Sequence, residues 1–259
     1  MIGIFDSGIG GLTVVKEIKK ALPGCPIVYF GDTARSPWGN KSAELVRKYS
    51  SEISRFLVKE GAKDIIIACN TASTFAADHL IKEFPEINFY DVINPVVRKI
   101  GAQRKNDKNN FRVAVIGTRG TVESGIYEKK IRANFKNADI ISQACPLFVP
   151  IVEEGMNDGR IAEAIAHNYL GKWKNKKIDV LILGCTHYPL LKNIIKKESG
   201  VKKLISSAEE IAQDIKNKFK DCRFDDSRDI YYFSDLTDHY KIFAQKIIGK
   251  KINIQKISF

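Results

Sequence analysis

The sequence contains no Cys-x-x-Cys pair, no apolar run approaching a membrane span, and no long basic block with interleaved aromatics. Each absence removes a class of function. The five cysteines (Cys25, Cys69, Cys145, Cys185 and Cys222) are odd in number and irregularly spaced. That pattern gives no support to a zinc or iron–sulfur centre, nor to a disulfide framework in a chain with room for a full core. No metal and no cofactor is expected. No membrane association is expected either. The first residues enter an apparent strand without a charged n-region, so no signal peptide is expected, and the thiols should be reduced in a cytoplasmic setting. The charge is uneven, with 42 basic against 30 acidic residues and a net charge of +12. The lysines are nevertheless scattered as singles and pairs, such as Lys19-Lys20, Lys129-Lys130 and Lys202-Lys203. A solvated surface with a general pull on small anions explains this better than nucleic acid, which is not expected as a partner.

At 259 residues, 44% hydrophobic and 28% charged, the chain has the length for one large or two medium α/β domains. Its organising stretch is Ala68-Cys69-Asn70-Thr71-Ala72-Ser73, which follows the β-branched run Ile65-Ile66-Ile67. This reads as a buried parallel strand ending at a helix N-terminus, where free N–H groups can hold an anion or thiolate. Taken alone, such a cysteine is most often an inert buried hydrophobe. A second copy changes the balance. Asp179-Val180-Leu181-Ile182-Leu183-Gly184-Cys185-Thr186-His187 again runs from an acidic residue through an apolar strand to Cys and Thr. The match is approximate, because Asp64 lies five residues before Cys69 and Asp179 six before Cys185.

The rest of the chain repeats in the same way. Ile2-Gly3-Ile4-Phe5 predicts a first strand, Asp6 to Gly11 a Gly-rich turn, and Leu12, Val15, Ile18 and Leu22 a helix. An acidic residue, Asp32, follows the next strand, as in dinucleotide-binding folds, but Thr13 stands where the third Gly of that fingerprint belongs. Ala34 to Ser42 reads as a fixed loop carrying Trp38 and Gly39, followed by a helix to Lys59. After the Cys69 strand, a helix over 75–81 and a strand over 89–93 are predicted, with Asn94-Pro95 ending that strand. The polar segment 101–110 reads as a surface loop. The opening pattern then returns as Arg112 to Thr121, followed by a helix over 122–134. Ser7 precedes Cys69 by 62 residues and Thr118 precedes Cys185 by 67. Two pseudo-symmetric α/β units with mainly parallel sheets would place both cysteine-bearing strand ends in one cleft. The segment from Cys145 to Gly155 reads as irregular and extended because of its two prolines, with Glu153 at the surface or facing the cleft. Ser207 and Glu210 form a capping-box pattern, and the tail from Ile230 is expected to complete the first sheet.

Two thiols facing one cleft suit the inversion of an acidic C–H centre. One takes the proton from one face of a planar carbanion while the other delivers a proton to the opposite face. A free thiol needs a partner to do this near neutral pH. Asp6 could serve one cysteine and His187 the other, although a histidine by itself is more often structural. Ser7, Asn70, Thr71 and Thr186 offer the neutral donors that a carboxylate substrate requires.

These motifs together resemble the bacterial glutamate racemases of the aspartate/glutamate racemase family over essentially the whole chain. They include Asp6-Ser7-Gly8-Ile9-Gly10-Gly11, Gly31-Asp32-Thr33-Ala34-Arg35, Gly39-Asn40-Lys41-Ser42, Ala68 to Ser73 and Gly117-Thr118-Arg119. They continue with Ala144-Cys145-Pro146-Leu147-Phe148-Val149-Pro150 and Gly184-Cys185-Thr186-His187-Tyr188-Pro189. The resemblance implies cofactor-independent interconversion of L- and D-glutamate for peptidoglycan synthesis, by a homodimer. Cys69 would be the base for the D-enantiomer and Cys185 for the L-enantiomer, with Asp6, His187 and Glu153 in supporting roles. Substrate contacts are implied at Asp6, Ser7, Trp38, Gly39, Asn70, Thr71, Thr186 and His187, with Thr118 and Thr121 nearby. It also implies that residues 1–93 plus 207–259 form one domain and 94–206 the other. Trp38 stands where the family normally has Tyr, Ser36 where an apolar residue is usual, and Ser206 where Asp is commoner. Two alternatives stand beside this reading: a racemase for aspartate or another amino acid, and a catalytically silent binding protein of the same fold.

Overall fold

The computed structural model describes residues 1–104, 110–219 and 229–257. Cys222 and residues 105–109 of the polar 101–110 segment lie outside the described residues, and residues 101–104, expected in a surface loop, belong to the helix Ile93–Arg104. The strands are β1 (Ile2–Asp6), β2 (Ile27–Gly31), β3 (Asp64–Ile67), β4 (Asn88–Asp91), β5 (Phe111–Gly117), β6 (Ala138–Ala144), β7 (Val180–Gly184), β8 (Leu204–Ser206), β9 (Ile230–Phe233) and β10 (Ile254–Lys256). They form two sheets, in the orders β10-β9-β2-β1-β3-β4 and β6-β5-β7-β8. Every pairing is parallel.

The internal duplication is visible in these orders. β1 lies between β2 and β3 with β4 beyond, and β5 lies between β6 and β7 with β8 beyond. Thus β3 and β7, the strands that lead to Cys69 and Cys185, occupy equivalent places. The one-residue mismatch in spacing lies at the acidic ends, because Asp64 is the first residue of β3 whereas Asp179 precedes β7. In both sheets the chain reverses its direction of winding beside the central strand. That switch point is where parallel α/β sheets open a crevice at their carboxyl ends.

Alternation along the strands divides the core. Ile4 and Ile66 belong to one apolar cluster, while Phe5, Ile65 and Ile67 belong to the cluster beneath the helix Ala43–Lys59. In the second sheet, Ile116 and Leu183 join the first of these clusters, and Val113, Val115 and Ile182 pack with Ile93, Val96 and Tyr127. One cluster therefore runs through both sheets. The helices Leu12–Ala21 and Ser207–Lys218 pack together within it and contribute Val15, Ile18, Ile211 and Ile215. Burial on both faces explains why these strands read as continuous apolar runs.

Several local expectations change. The segment expected to be extended contains a helix, Phe148–Glu153. Pro150 is its third residue, where no intrahelical N–H bond is required, so proline is tolerated. Pro95 likewise lies in the first turn of the helix Ile93–Arg104, so β4 ends earlier, at Asp91. The helix expected over 75–81 is two, Asn70–Phe75 and Ala77–Glu83. The one over 122–134 is also two, Arg119–Glu123 and Ile126–Asn134, broken at Gly125 with φ +63°. Ser207 is the first helical residue rather than a cap. Ser206 precedes it without a side-chain capping bond, and Ser207 Oγ turns instead to the Leu183 carbonyl at 3.4 Å. Among the described residues, no helix is long and apolar enough to cross a membrane, and no group of three potential metal ligands is present.

Candidate active site

Each cysteine sits where its strand yields to a turn. Cys69 is the N-cap of the helix Asn70–Phe75, and its sulfur accepts a hydrogen bond from the Ala72 N–H at 3.4 Å. Its own S–H reaches Ser7 Oγ at 3.6 Å, just past the end of β1. Cys185 Sγ lies 3.9 Å from Nδ1 of His187, two residues later. The far nitrogen of that ring, Nε2, is 3.0 Å from Glu153 Oε1.

Both sulfurs line one cavity. Cys69, Asn70 and Thr71 come to it from the first sheet, and Cys185, Thr186 and His187 from the second. Ser7, Trp38, Gly39 and Thr118 also line it, so ten of the residues expected from the sequence meet in one place. Three stand behind the wall. Thr121 Oγ1 bonds Thr118 at 3.1 Å, Glu153 backs His187, and Asp6 is fully buried. Asp6 binds the Gly8 N–H at 3.1 Å and the Thr186 hydroxyl at 3.4 Å.

The electrostatics separate the two ends of the cavity. Burial, reinforced by the neighbouring Asp6 charge, pushes the Cys69 thiol up to about 12, against which the Ala72 N–H and Ser7 work. At rest Cys69 is a neutral proton donor. Burial also raises Asp6, opposed chiefly by His187 and by backbone N–H groups of Gly11 and Gly8. His187 behaves oppositely. Burial disfavours its cation, but hydrogen bonds to Cys185 and Glu153 outweigh this and carry it up to about 10. An imidazolium is thus held against the Cys185 sulfur.

The walls approach so closely that two glycines are obligatory. A Cβ on Gly10 would lie 2.4 Å from His187 Nδ1, and one on Gly39 2.6 Å from Thr118 Cβ. Trp38 is fully buried and donates its indole N–H to Asp32 at 3.2 Å. Asp32 in turn accepts from Arg35 at 2.7 Å and from Ser234 at 2.7 Å. Across the two halves, Thr71 Oγ1 meets Thr118 Oγ1 at 2.9 Å, and Thr13 donates to the Thr186 carbonyl at 2.9 Å.

Residues 2–215 match the Asp/Glu/Hydantoin racemase family. The chain belongs to this racemase family. A glutamate racemase of Aquifex pyrophilus is 42% identical over 250 residues, covering 96% of this chain and 94% of that protein. The crystal structure of the Francisella tularensis glutamate racemase in complex with D-glutamate superposes with a TM-score of 0.91 at 34% identity, covering 99% of this chain and 97% of that one. A glutamate racemase structure from Bacillus anthracis gives a TM-score of 0.91 at 33% identity, covering 100% and 97%.

In this racemase the residues that sequence reasoning missed are the supporting ones. Pro37 and Val149 line the cavity, Tyr127 and Ser207 bond the Asn70 side chain, and Tyr240 approaches Glu153 at 3.5 Å. Nothing local marks them. Tyr127, Ser207 and Tyr240 each meet a partner dozens of positions away.

Proposed function

We propose that the protein interconverts L- and D-glutamate without a cofactor, by proton transfer between two cysteines. The observation that carries this is the placement of Cys69 and Cys185 after equivalent strands, both lining one cavity. Cys185, beside the His187 cation, removes the α-proton of L-glutamate, and the Cys69 thiol delivers its proton to the other face of the planar carbanion. One proton leaves the substrate and one enters, so the thiols exchange protonation states with each turnover. Running in reverse, Cys69 must first lose its proton. Its resting position near 12 makes that step depend on the substrate's ammonium group entering the site and offsetting the Asp6 charge.

Ser7, Asn70, Thr71, Thr118 and Thr186 supply neutral donors for the two carboxylates, and Trp38 with Gly39 closes the pocket beside them. Glu153 holds His187, and Asp6 holds the Thr186 hydroxyl. The relatives' name as glutamate racemases and the neutral donors that line the cavity favour glutamate. The product would supply D-glutamate for peptidoglycan in the cytoplasm, with the chain acting as a homodimer. Residues 1–93 plus 207–259 would form one moving unit and 94–206 the other. Chiral chromatography of L-glutamate and L-aspartate incubated with the protein tests the assignment. Glutamate should reach an equal mixture of enantiomers while aspartate stays largely unchanged. Faster turnover of aspartate would reverse it.

A further inference from the structure

A buried polar chain links the two cysteine-bearing segments, and apart from Asn70 the proton-transfer account makes no use of it. Asn70 immediately follows Cys69, and its side chain lines the cavity. Its Oδ1 accepts a hydrogen bond from the Tyr127 hydroxyl at 2.7 Å, and its Nδ2 donates to Ser207 Oγ at 3.2 Å. Ser207 passes its own proton to the carbonyl of Leu183, two residues before Cys185, at 3.4 Å. Tyr127 also packs on the intervening residue, since a Cβ on Gly184 would meet its ring at 3.3 Å. Tyr127, Asn70 and Ser207 are each no more than 2% exposed.

The bonds of this chain form one consistent set of directions. The Tyr127 phenol, held neutral by burial, points its proton at the amide and so meets an oxygen. The single proton of Ser207 is committed to Leu183, so Ser207 must accept and requires an N–H opposite. Both demands select the same orientation of the carboxamide. A flipped amide would require the Tyr127 proton to turn away from the amide and the Ser207 proton to leave the Leu183 carbonyl, giving up bonds that the buried site now satisfies. In the selected orientation one N–H of Asn70 remains uncommitted beside the cavity.

We infer that Tyr127 and Ser207 are positioning residues that act through Asn70, fixing its amide so that an N–H is presented to a substrate carboxylate and tying the Cys69 turn to the strand that ends at Cys185. This rests on the proposed racemase activity. Neither residue touches substrate, and their effect should appear in binding before it appears in chemistry.

The test is a double-mutant cycle on the full-length protein, measuring KM and kcat in both directions for Tyr127→Phe, Ser207→Ala, Asn70→Ala and the Asn70→Ala/Tyr127→Phe pair. Phe retains the ring against Gly184. Tyr127→Phe should raise KM for both enantiomers by about tenfold with kcat changed by less than about threefold, and Ser207→Ala should act in the same direction. In the Asn70→Ala background, Tyr127→Phe should change KM by less than about twofold, because the group it orients is gone. An active Tyr127→Phe variant with unchanged KM, or equal effects in the two backgrounds, would overturn this inference alone. No racemisation by the unaltered protein would overturn the proposed function along with it.

Discussion

Buried His187 pairs with partly exposed Glu153, Nε2 to Oε1 at 3.0 Å, on the side of the ring opposite Cys185. The imidazolium is favoured by both neighbours, and its titration moves from an ordinary 6.5 to about 10. Between these values the folded protein binds a proton that the unfolded chain does not. The resulting stabilisation is complete below about pH 6.5 and is lost as the pH rises through about 10.

Glu153→Gln should therefore destabilise the protein by about 3 kcal/mol near pH 6.5, since it leaves a buried cation with one partner fewer. The gap to the unaltered protein should close above pH 10, where His187 is neutral in both. Urea unfolding at a series of pH values measures this. A gap independent of pH would show that His187 is not charged.

At Cys69 the balance favours the neutral thiol, with Asp6 adding to the effect of burial. Alkylation by iodoacetamide, followed peptide by peptide with mass spectrometry, should increase at Cys69 with each pH step from 7 to 11 without a plateau. Asp6→Asn should accelerate it several-fold by removing the opposing negative charge. A plateau below pH 9 would contradict the assignment of Cys69 as the resting donor.

Gly10→Ala places a methyl group 2.4 Å from the His187 ring and 2.5 Å from Thr186 Oγ1. The ring is confined by Cys185 and Glu153 and can give way only toward the cavity, out of its place beside the sulfur. Racemisation should fall by at least about a hundredfold, as expected when a reacting geometry shifts by about 1 Å. Circular dichroism should show the fold retained. Unchanged kcat/KM would mean that the ring is mobile.

Trp38→Phe removes an indole N–H from the buried Asp32 carboxylate and should destabilise the protein by roughly 1.5–3 kcal/mol, measured by denaturant unfolding. The chain has two tryptophans, Trp38 and Trp173, so a Trp173→Phe variant isolates Trp38 emission. That emission should change on saturation with glutamate, because Trp38 lines the cavity. A silent signal would place the ligand elsewhere.

What was legible in the sequence was whatever repeats or alternates. The β-branched runs before Cys69 and Cys185, the Gly-rich turn after β1 and its echo at Thr118 reflect strands buried on both faces, so they announce themselves locally. Pro150 and Pro95 misled because proline breaks a helix interior but is accepted in a first turn, and sequence alone does not say which position it holds. Ser207 next to Glu210 imitates a capping box, yet its hydroxyl is claimed by a carbonyl on a neighbouring strand. The fully buried Asp32 and Tyr127 were invisible as site residues for a related reason. Their partners Ser234 and Asn70 are brought to them only by the fold, and Trp38 by the turns of the loop that follows Asp32.

The central claim is that two cysteines exchange a proton with one carbon. Hydrogen–deuterium exchange at the α-carbon of L-glutamate, followed by NMR in deuterium oxide without added cofactor, tests it most directly. The unaltered protein should convert L-glutamate to α-deuterated D-glutamate, and Cys69→Ser and Cys185→Ser should each abolish racemisation. Racemisation at near-native rate in either variant, or no exchange by the unaltered protein at saturating glutamate, would contradict it.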